Sequence, residues 1–184
     1  SARGPVMMRP MHEMNGNWYP WCGMVNGNSP ALYRMAWQRM HLVFRGGSAA
    51  SINARLAQAG LPPLSTSPGW VPDATRNVAW VWSLAKGGAK PSSASNTNSA
   101  YYPGDQYVDL VGITVLNPGN TGFGDKTWQT PKQRLDRRMK QVRLVTKKGV
   151  IAAEVGSGWK GGDKGDWIKG LYNRAHWRWP QIQG

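Results

Sequence analysis

The sequence of 184 residues predicts an α/β fold of the (β/α) barrel type. Three observations carry this reading. Four apolar runs read as strands, at residues 4–14, Asn77–Ser83, Tyr107–Leu116 and Gly149–Val155. Segments with helical spacing of apolar residues separate most of them. Residues able to do chemistry cluster where those strands end, at His12-Glu13, Trp82-Ser83, Asn117 and Glu154. Strands that are apolar nearly throughout suit a parallel sheet covered on both faces. Polar residues gathered at the C-terminal strand ends follow the barrel rule.

In chain order, the first strand leads into a Gly- and Asn-rich loop over 15–28. Ser29-Pro30 then opens a helix, with a capping side chain before a proline at the first helical position. Its periodic face reads as Leu32, Met35, Ala36, Met40 and Val43, and Gly46-Gly47 ends it. A short helix is expected from Ser51 to Ala59, followed by a Pro- and Ser-rich loop over 61–76. After the second strand, residues 85–100 are polar and low in complexity, which predicts a mobile surface loop or insertion in place of a helix. Tyr101–Asp105 reads as a turn before the third strand, and Asn117–Thr127 as a Gly-rich loop after it. Thr130-Pro131 repeats the cap-then-proline start of a helix running to about Lys147, with Leu135, Met139, Val142 and Val145 inward. A last helix begins near Lys164, carries Trp167, Ile168, Leu171 and Tyr172, and stops before Pro180.

The composition narrows the class further. A hydrophobic fraction of 40% is enough for a packed core. There are 11 Trp against 2 Phe, and a buried indole N–H needs a partner, so some Trp are expected to serve as exposed platforms. The single cysteine, Cys22, excludes an internal disulfide. No signal peptide and no bilayer-length apolar run is visible, and no membrane partner is expected. The net charge of +14 raises a polyanion partner as an alternative. Lys132, Arg134, Arg137, Arg138, Lys140, Arg143, Lys147 and Lys148 instead suit the solvated face of one helix, so a nucleic-acid partner is not expected.

The chain has only two glutamates, Glu13 and Glu154, each near the C-terminal end of a predicted strand. A charge inside an apolar strand is costly to bury unless it is paired or functional. Two carboxylates across a barrel mouth are the equipment of glycoside hydrolysis, in which one protonates the leaving oxygen and the other attacks the anomeric carbon. The alternative is a pair of structural ion-pair carboxylates. His12-Glu13 lacks the second histidine of a zinc protease, and His12, His41 and His176 are scattered, so neither a metal nor another cofactor is expected. No serine nucleophile elbow is present, and Gly158–Gly165 lacks phosphate-loop spacing.

The stretch Arg9-Pro10-Met11-His12-Glu13-Met14-Asn15-Gly16, with Trp18-Tyr19-Pro20-Trp21, resembles the acid/base motif of glycoside hydrolase family 26. Further stretches follow in the family's order. Asn77–Ser83 resembles its fifth strand, Tyr101–Gly112 the approach to its sixth, Ile151–Ser157 its nucleophile strand, and Lys164–Ile168 the helix after it. The resemblance implies a (β/α)8 barrel and a retaining β-mannanase, or a related β-1,3-1,4-glucanase or β-1,3-xylanase. It makes Glu13 the general acid/base and Glu154 the nucleophile. His12 would position Glu13 or a sugar hydroxyl, Trp18 would stack near the cleavage subsite, and Arg9, Tyr19, Trp82 and Trp159 would join them in binding substrate.

Two features depart from the family pattern. Leu116 stands where the family usually has a tyrosine bonded to the nucleophile, and Thr114 where mannanases often have an aspartate. They imply a different substrate preference or reduced activity. The resemblance also covers only about half of a barrel, from the fourth strand to the seventh helix, so residues 1–184 are expected to form a partial domain. The first three strands and the eighth are expected to be absent. A partner chain, a duplicate copy or the missing segment would then complete the barrel. The expected function is that of a secreted endo-β-glycanase acting on β-mannan or a related polysaccharide outside the cell. A non-catalytic carbohydrate-binding relative is the alternative.

Overall fold

The computed structural model describes residues 4, 6–66, 69–73, 77–85, 92–121 and 127–184. Four strands, β1 (Val6–Met8), β2 (Val78–Leu84), β3 (Leu110–Asn117) and β4 (Gly149–Ser157), form one sheet in sequence order. Every pairing is parallel. The crossover from β1 to β2 holds α1 (Pro30–Phe44) and α2 (Ala49–Gln58), and that from β3 to β4 holds α3 (Pro131–Arg143). After β4 comes α4 (Lys164–Arg178). Parallel strands laid side by side in chain order form half of a (β/α)8 barrel. Between β2 and β3 the described residues hold two 3₁₀ turns, Asn98–Tyr101 and Asp105–Tyr107. Among the described residues no helix is long and apolar enough to cross a membrane.

The helix starts follow the local chemistry read from the sequence. Ser29 accepts a hydrogen bond from the Leu32 amide at 3.1 Å. Thr130 and Gln133 form a reciprocal capping box. Asp163 caps α4 through the Asp166 amide at 2.7 Å. Gly46, at φ 65°, ends the turn after α1, and a side chain there would strike the Val71 carbonyl.

The core lies between the sheet and the helices. Trp37, Trp80, Trp82, Tyr101, Val111, Ile113, Leu135 and Met139 are all essentially excluded from water. A smaller cluster of Leu42, Ile52, Leu56 and Leu61 seats α2.

Several expectations need correction. The inward face of α1 is Tyr33, Trp37 and Leu42, while Leu32 and Met35 are exposed, because the large aromatics take the contact with β2. The first strand is only three residues long, and the chain turns at once after it. β3 begins at Leu110, since the Asp109 carboxylate accepts from the Trp80 amide at 2.8 Å and Asp105–Tyr107 coils into a turn. α3 stops at Arg143, whose guanidinium caps the carbonyls of Thr146 and Lys148. The basic stretch is not one solvated face: Lys132, Arg137 and Lys140 are exposed, but Arg134 and Arg138 are buried. Of the polar loop 85–100, residues 86–91 lie outside the described residues, and the rest does not simply lie on the surface. Asn96 is buried and accepts a hydrogen bond from the Tyr101 hydroxyl, and Arg34 of α1 donates to the Ala100 carbonyl.

The last residues also differ from expectation. Val150 and Ile182 form a parallel bridge. The Val150 amide donates to the Gln181 carbonyl at 3.0 Å, the Gln183 amide to Val150 at 2.8 Å, and the Ala152 amide to Gly184 at 2.7 Å. Gln181–Gly184 thus lies beside β4 on the edge away from β3, where the eighth strand was expected to be absent.

Candidate active site

The site lies at the C-terminal ends of the strands, and the segment after β1 builds most of it. Met11 and Glu13 both take left-handed backbone conformations, at φ 45° and 58°. Such positions cost on the order of 1 kcal/mol or more for a non-glycine residue and persist only where surrounding contacts impose them. Those contacts are present. The Glu13 amide donates to the Ser83 carbonyl at the end of β2, at 2.8 Å. Trp21 Nε1 donates to the His12 carbonyl at 2.8 Å. Asn15, wholly buried, accepts from the Ala85 amide at 2.7 Å and donates to Asn98 at 3.3 Å. The turn is therefore pinned to the end of β2, which fixes where the Glu13 side chain starts.

The Glu13 carboxylate accepts two hydrogen bonds. Trp18 Nε1 donates to Oε2 at 3.1 Å, and Thr114 Oγ1 on β3 donates to Oε1 at 3.3 Å. Glu154 on β4 is the register partner of Thr114. Its Oε1 accepts from the Arg9 guanidinium at 2.7 Å, with the two side chains 26% and 35% exposed. Water screens a pair this open, so its contribution to stability is about 0.3 kcal/mol or less. Arg9 also reaches Ser83 Oγ at 3.5 Å. Side chains from all four strand ends thus meet in one polar cluster: Arg9 and Glu13 after β1, Ser83 on β2, Thr114 on β3 and Glu154 on β4.

Most of the residues singled out in the sequence come together here. Arg9, Glu13 and Trp18 are linked as described. His12 does not bond the Glu13 carboxylate; its Nε2 pairs with the Tyr19 hydroxyl at 3.2 Å, and Tyr19 stacks on Trp21 with ring centres 4.6 Å apart. The hydrogen bonds to the Glu13 carboxylate come from Trp18 and Thr114 instead. Trp18 and Trp159 are both exposed, at 51% and 74%, though Trp18 packs against Gly16 and the Lys160 ammonium sits over the Trp159 ring. Trp82 is a correction: it is fully buried, packs edge-on against Tyr102 and offers a ligand no surface. Strand alternation explains this, since Ser83, one step on, takes the opposite side. Leu116 pairs in register with Gly156 and offers Glu154 no donor.

Two contributors escape a sequence reading. Thr114 stands out in sequence as a departure from a family pattern, but its bond to Glu13 spans 101 residues and no local pattern encodes it. Asn15 anchors the turn through 70 residues of separation. A buried asparagine among glycines is indistinguishable from loop composition.

With this geometry in hand, likenesses to known proteins become informative. The profile of Glycosyl hydrolase family 26 matches residues 1–46, the segment that supplies Arg9 and Glu13. Endoglucanase H of Acetivibrio thermocellus is 29% identical over 174 residues, covering 91% of this chain and 16% of that protein. A mannan endo-1,4-beta-mannosidase of Thermothelomyces thermophilus is 25% identical over 183 residues, covering 100% of this chain and 26% of that protein. The chain therefore spans about a quarter or less of the length of these relatives. Among solved structures, the catalytic domain of the Bacillus sp. JAMB-750 family 26 endo-beta-1,4-mannanase shares the fold. It aligns at TM-score 0.50 and 17% identity, over 97% of this chain and 39% of that one. The chain is thus similar to glycosyl hydrolase family 26 over residues 1–46, and over most of its length to proteins named as an endoglucanase and a mannan endo-1,4-beta-mannosidase.

Proposed function

We propose that the chain carries the catalytic centre of a retaining endo-β-glycanase that hydrolyses β-mannan or a closely related β-linked polysaccharide. One observation carries the reading: Glu13 and Glu154 lie at the same mouth of a parallel sheet, Glu13 bonded to Thr114 and Glu154 in register beside that residue. The relatives named as a mannan endo-1,4-beta-mannosidase and an endoglucanase support the substrate class.

In this mechanism Glu154 attacks the anomeric carbon as Glu13 protonates the departing glycosidic oxygen. A covalent glycosyl-enzyme forms. Glu13, now ionised, takes a proton from water, which displaces Glu154 and returns both groups to their starting states. Arg9 holds the nucleophile by one oxygen and leaves the other free. The exposed Trp18 ring, beside the acid, offers a flat face to a sugar. A polymer substrate of this kind is met outside the cell, so we place the whole protein there.

Replacing Glu154 with Ala, and separately Glu13 with Ala, in the full-length protein is expected to abolish new reducing ends from mannan. Unchanged hydrolysis in either would sink the assignment. The carboxyl groups are expected to sit about 5–5.5 Å apart with product released as the β-anomer; about 6.5 Å or more would mean inversion.

Leu116 favours a second reading, a carbohydrate-binding relative without turnover, because the nucleophile gains no donor from the end of β3. That reading expects oligosaccharide binding with no hydrolysis.

A further inference from the structure

We propose that Thr114 is a positioning residue for Glu13, holding the carboxyl oxygen through both of its protonation states. The inference rests on the reading of Glu13 as the acid/base. Thr114 sits on the inner strand β3, is 1% exposed, and donates to Glu13 Oε1 at 3.3 Å. A β-branched residue packed in a strand has little freedom at χ1, so the hydroxyl is a fixed point. The other donor to Glu13 is Trp18, itself 51% exposed and set in a loop. Of the two handles, only Thr114 belongs to the sheet.

The chemistry of a hydroxyl suits this task. It donates one hydrogen and accepts through two lone pairs. Facing an ionised Glu13 it donates, as in the structure. Once Glu13 regains its proton, the hydroxyl rotates and can accept, and the carboxyl group stays in place. A charged neighbour would favour one of the two states. The charged and titratable groups around Glu13 are Arg9, His12, Tyr19 and Cys22 on its own segment and Glu154 on β4. β2 and β3 present only the neutral Ser83 and Thr114. Because Thr114 is also the register partner of Glu154, one strand position sets both carboxylates relative to each other.

The test compares Thr114→Val with Thr114→Ser in the full-length protein on two substrates. One is a β-1,4-manno-oligosaccharide, whose leaving oxygen must be protonated. The other is the matching 2,4-dinitrophenyl glycoside, whose leaving group departs without a proton. Thr114→Val is expected to lower kcat/KM on the oligosaccharide about tenfold to hundredfold, the range of a lost bond to a catalytic acid. It should leave the dinitrophenyl substrate within about twofold, and Thr114→Ser should restore most of the loss, since its hydroxyl replaces the missing one. Equal losses on both substrates, no loss on either, or no recovery with serine would overturn the proposal. Should the valine variant fail to fold, Thr114→Ala, which only removes atoms, carries the same comparison. If Glu13→Ala itself leaves oligosaccharide hydrolysis intact, the functional reading fails and this proposal with it. If Glu13→Ala is inactive and Thr114→Val is not impaired, the positioning role alone fails.

Discussion

Asp136 and Glu154 are both carboxylates facing an arginine, yet the molecule treats them differently. Asp136 on α3 accepts Nε of Arg174 at 3.0 Å on Oδ1, Nη2 of the same guanidinium on Oδ2, and Trp179 Nε1 at 2.7 Å on Oδ1. The Arg174 pairing, with help from Trp179, holds its pKa below the usual carboxylate range. Asp105 is similar: the Tyr102 hydroxyl at 2.6 Å and Thr146 Oγ1 at 2.8 Å both donate to it, and these bonds lower its pKa. Glu154 receives a single bond, from Arg9, and among the described residues no donor reaches its second oxygen. Saturated carboxylates clamp helices and loops to one another. A carboxylate with a free oxygen at a strand end is available to a ligand. The number and origin of the donors, more than the charge, separate a saturated fastener from a carboxylate with an oxygen to spare.

This contrast can be broken by substitution at either end. The largest expected effect is at the site. Arg9→Gln should lower kcat/KM on mannan by about hundredfold, the usual scale for a lost charged orienting contact, while thermal stability barely moves. A large fall in Tm with little loss of rate would make Arg9 a fastener after all.

Asp136→Asn should do the reverse. It should lower stability to urea at neutral pH by about 1 kcal/mol, a low figure because water reaches the pair, and leave kcat/KM unchanged. Its pH dependence has a definite sign. The folded pKa lies below the unfolded one, so the contribution is complete above the ordinary carboxylate range and is lost as pH falls through the folded value. The stability gap between wild type and Asp136→Asn should therefore close on acidification. A gap that widens at low pH would contradict the pairing.

The smallest effect is expected from Tyr102→Phe. It removes one donor from Asp105 and one partner from Thr146, and Asp105 lies open to solvent. A loss of about 0.5 kcal/mol in the same urea measurement, again with activity intact, would sharpen the comparison. A loss of activity would show that the loop before β3 reaches the site.

Much of this was readable along the chain. The strands β2 and β4 and the helices α1, α3 and α4 lie where apolar runs and cap-then-helix signals put them, because those signals act over a few residues. Glu13 and Glu154 stood out because they are the only glutamates in the chain. What was misread shares a cause. Trp82 looked like a platform because it neighbours the strand end, but strand alternation turns it into the core. Met35 looked inward because its spacing fits a helix face, but the bulk of Tyr33 and Trp37 rotated that face.

The motif from Arg9 to Trp21 and the glutamate in β4 therefore pointed to candidate residues through short-range order and a family resemblance. Their relation to each other was not written there. Glu13 reaches Thr114 across 101 residues, and Arg9 reaches Glu154 across 145. Contacts of that range depend on strand register and on a strained turn after β1, both set by how the sheet packs. Local sequence chooses which residues are available. The packed sheet chooses which of them meet.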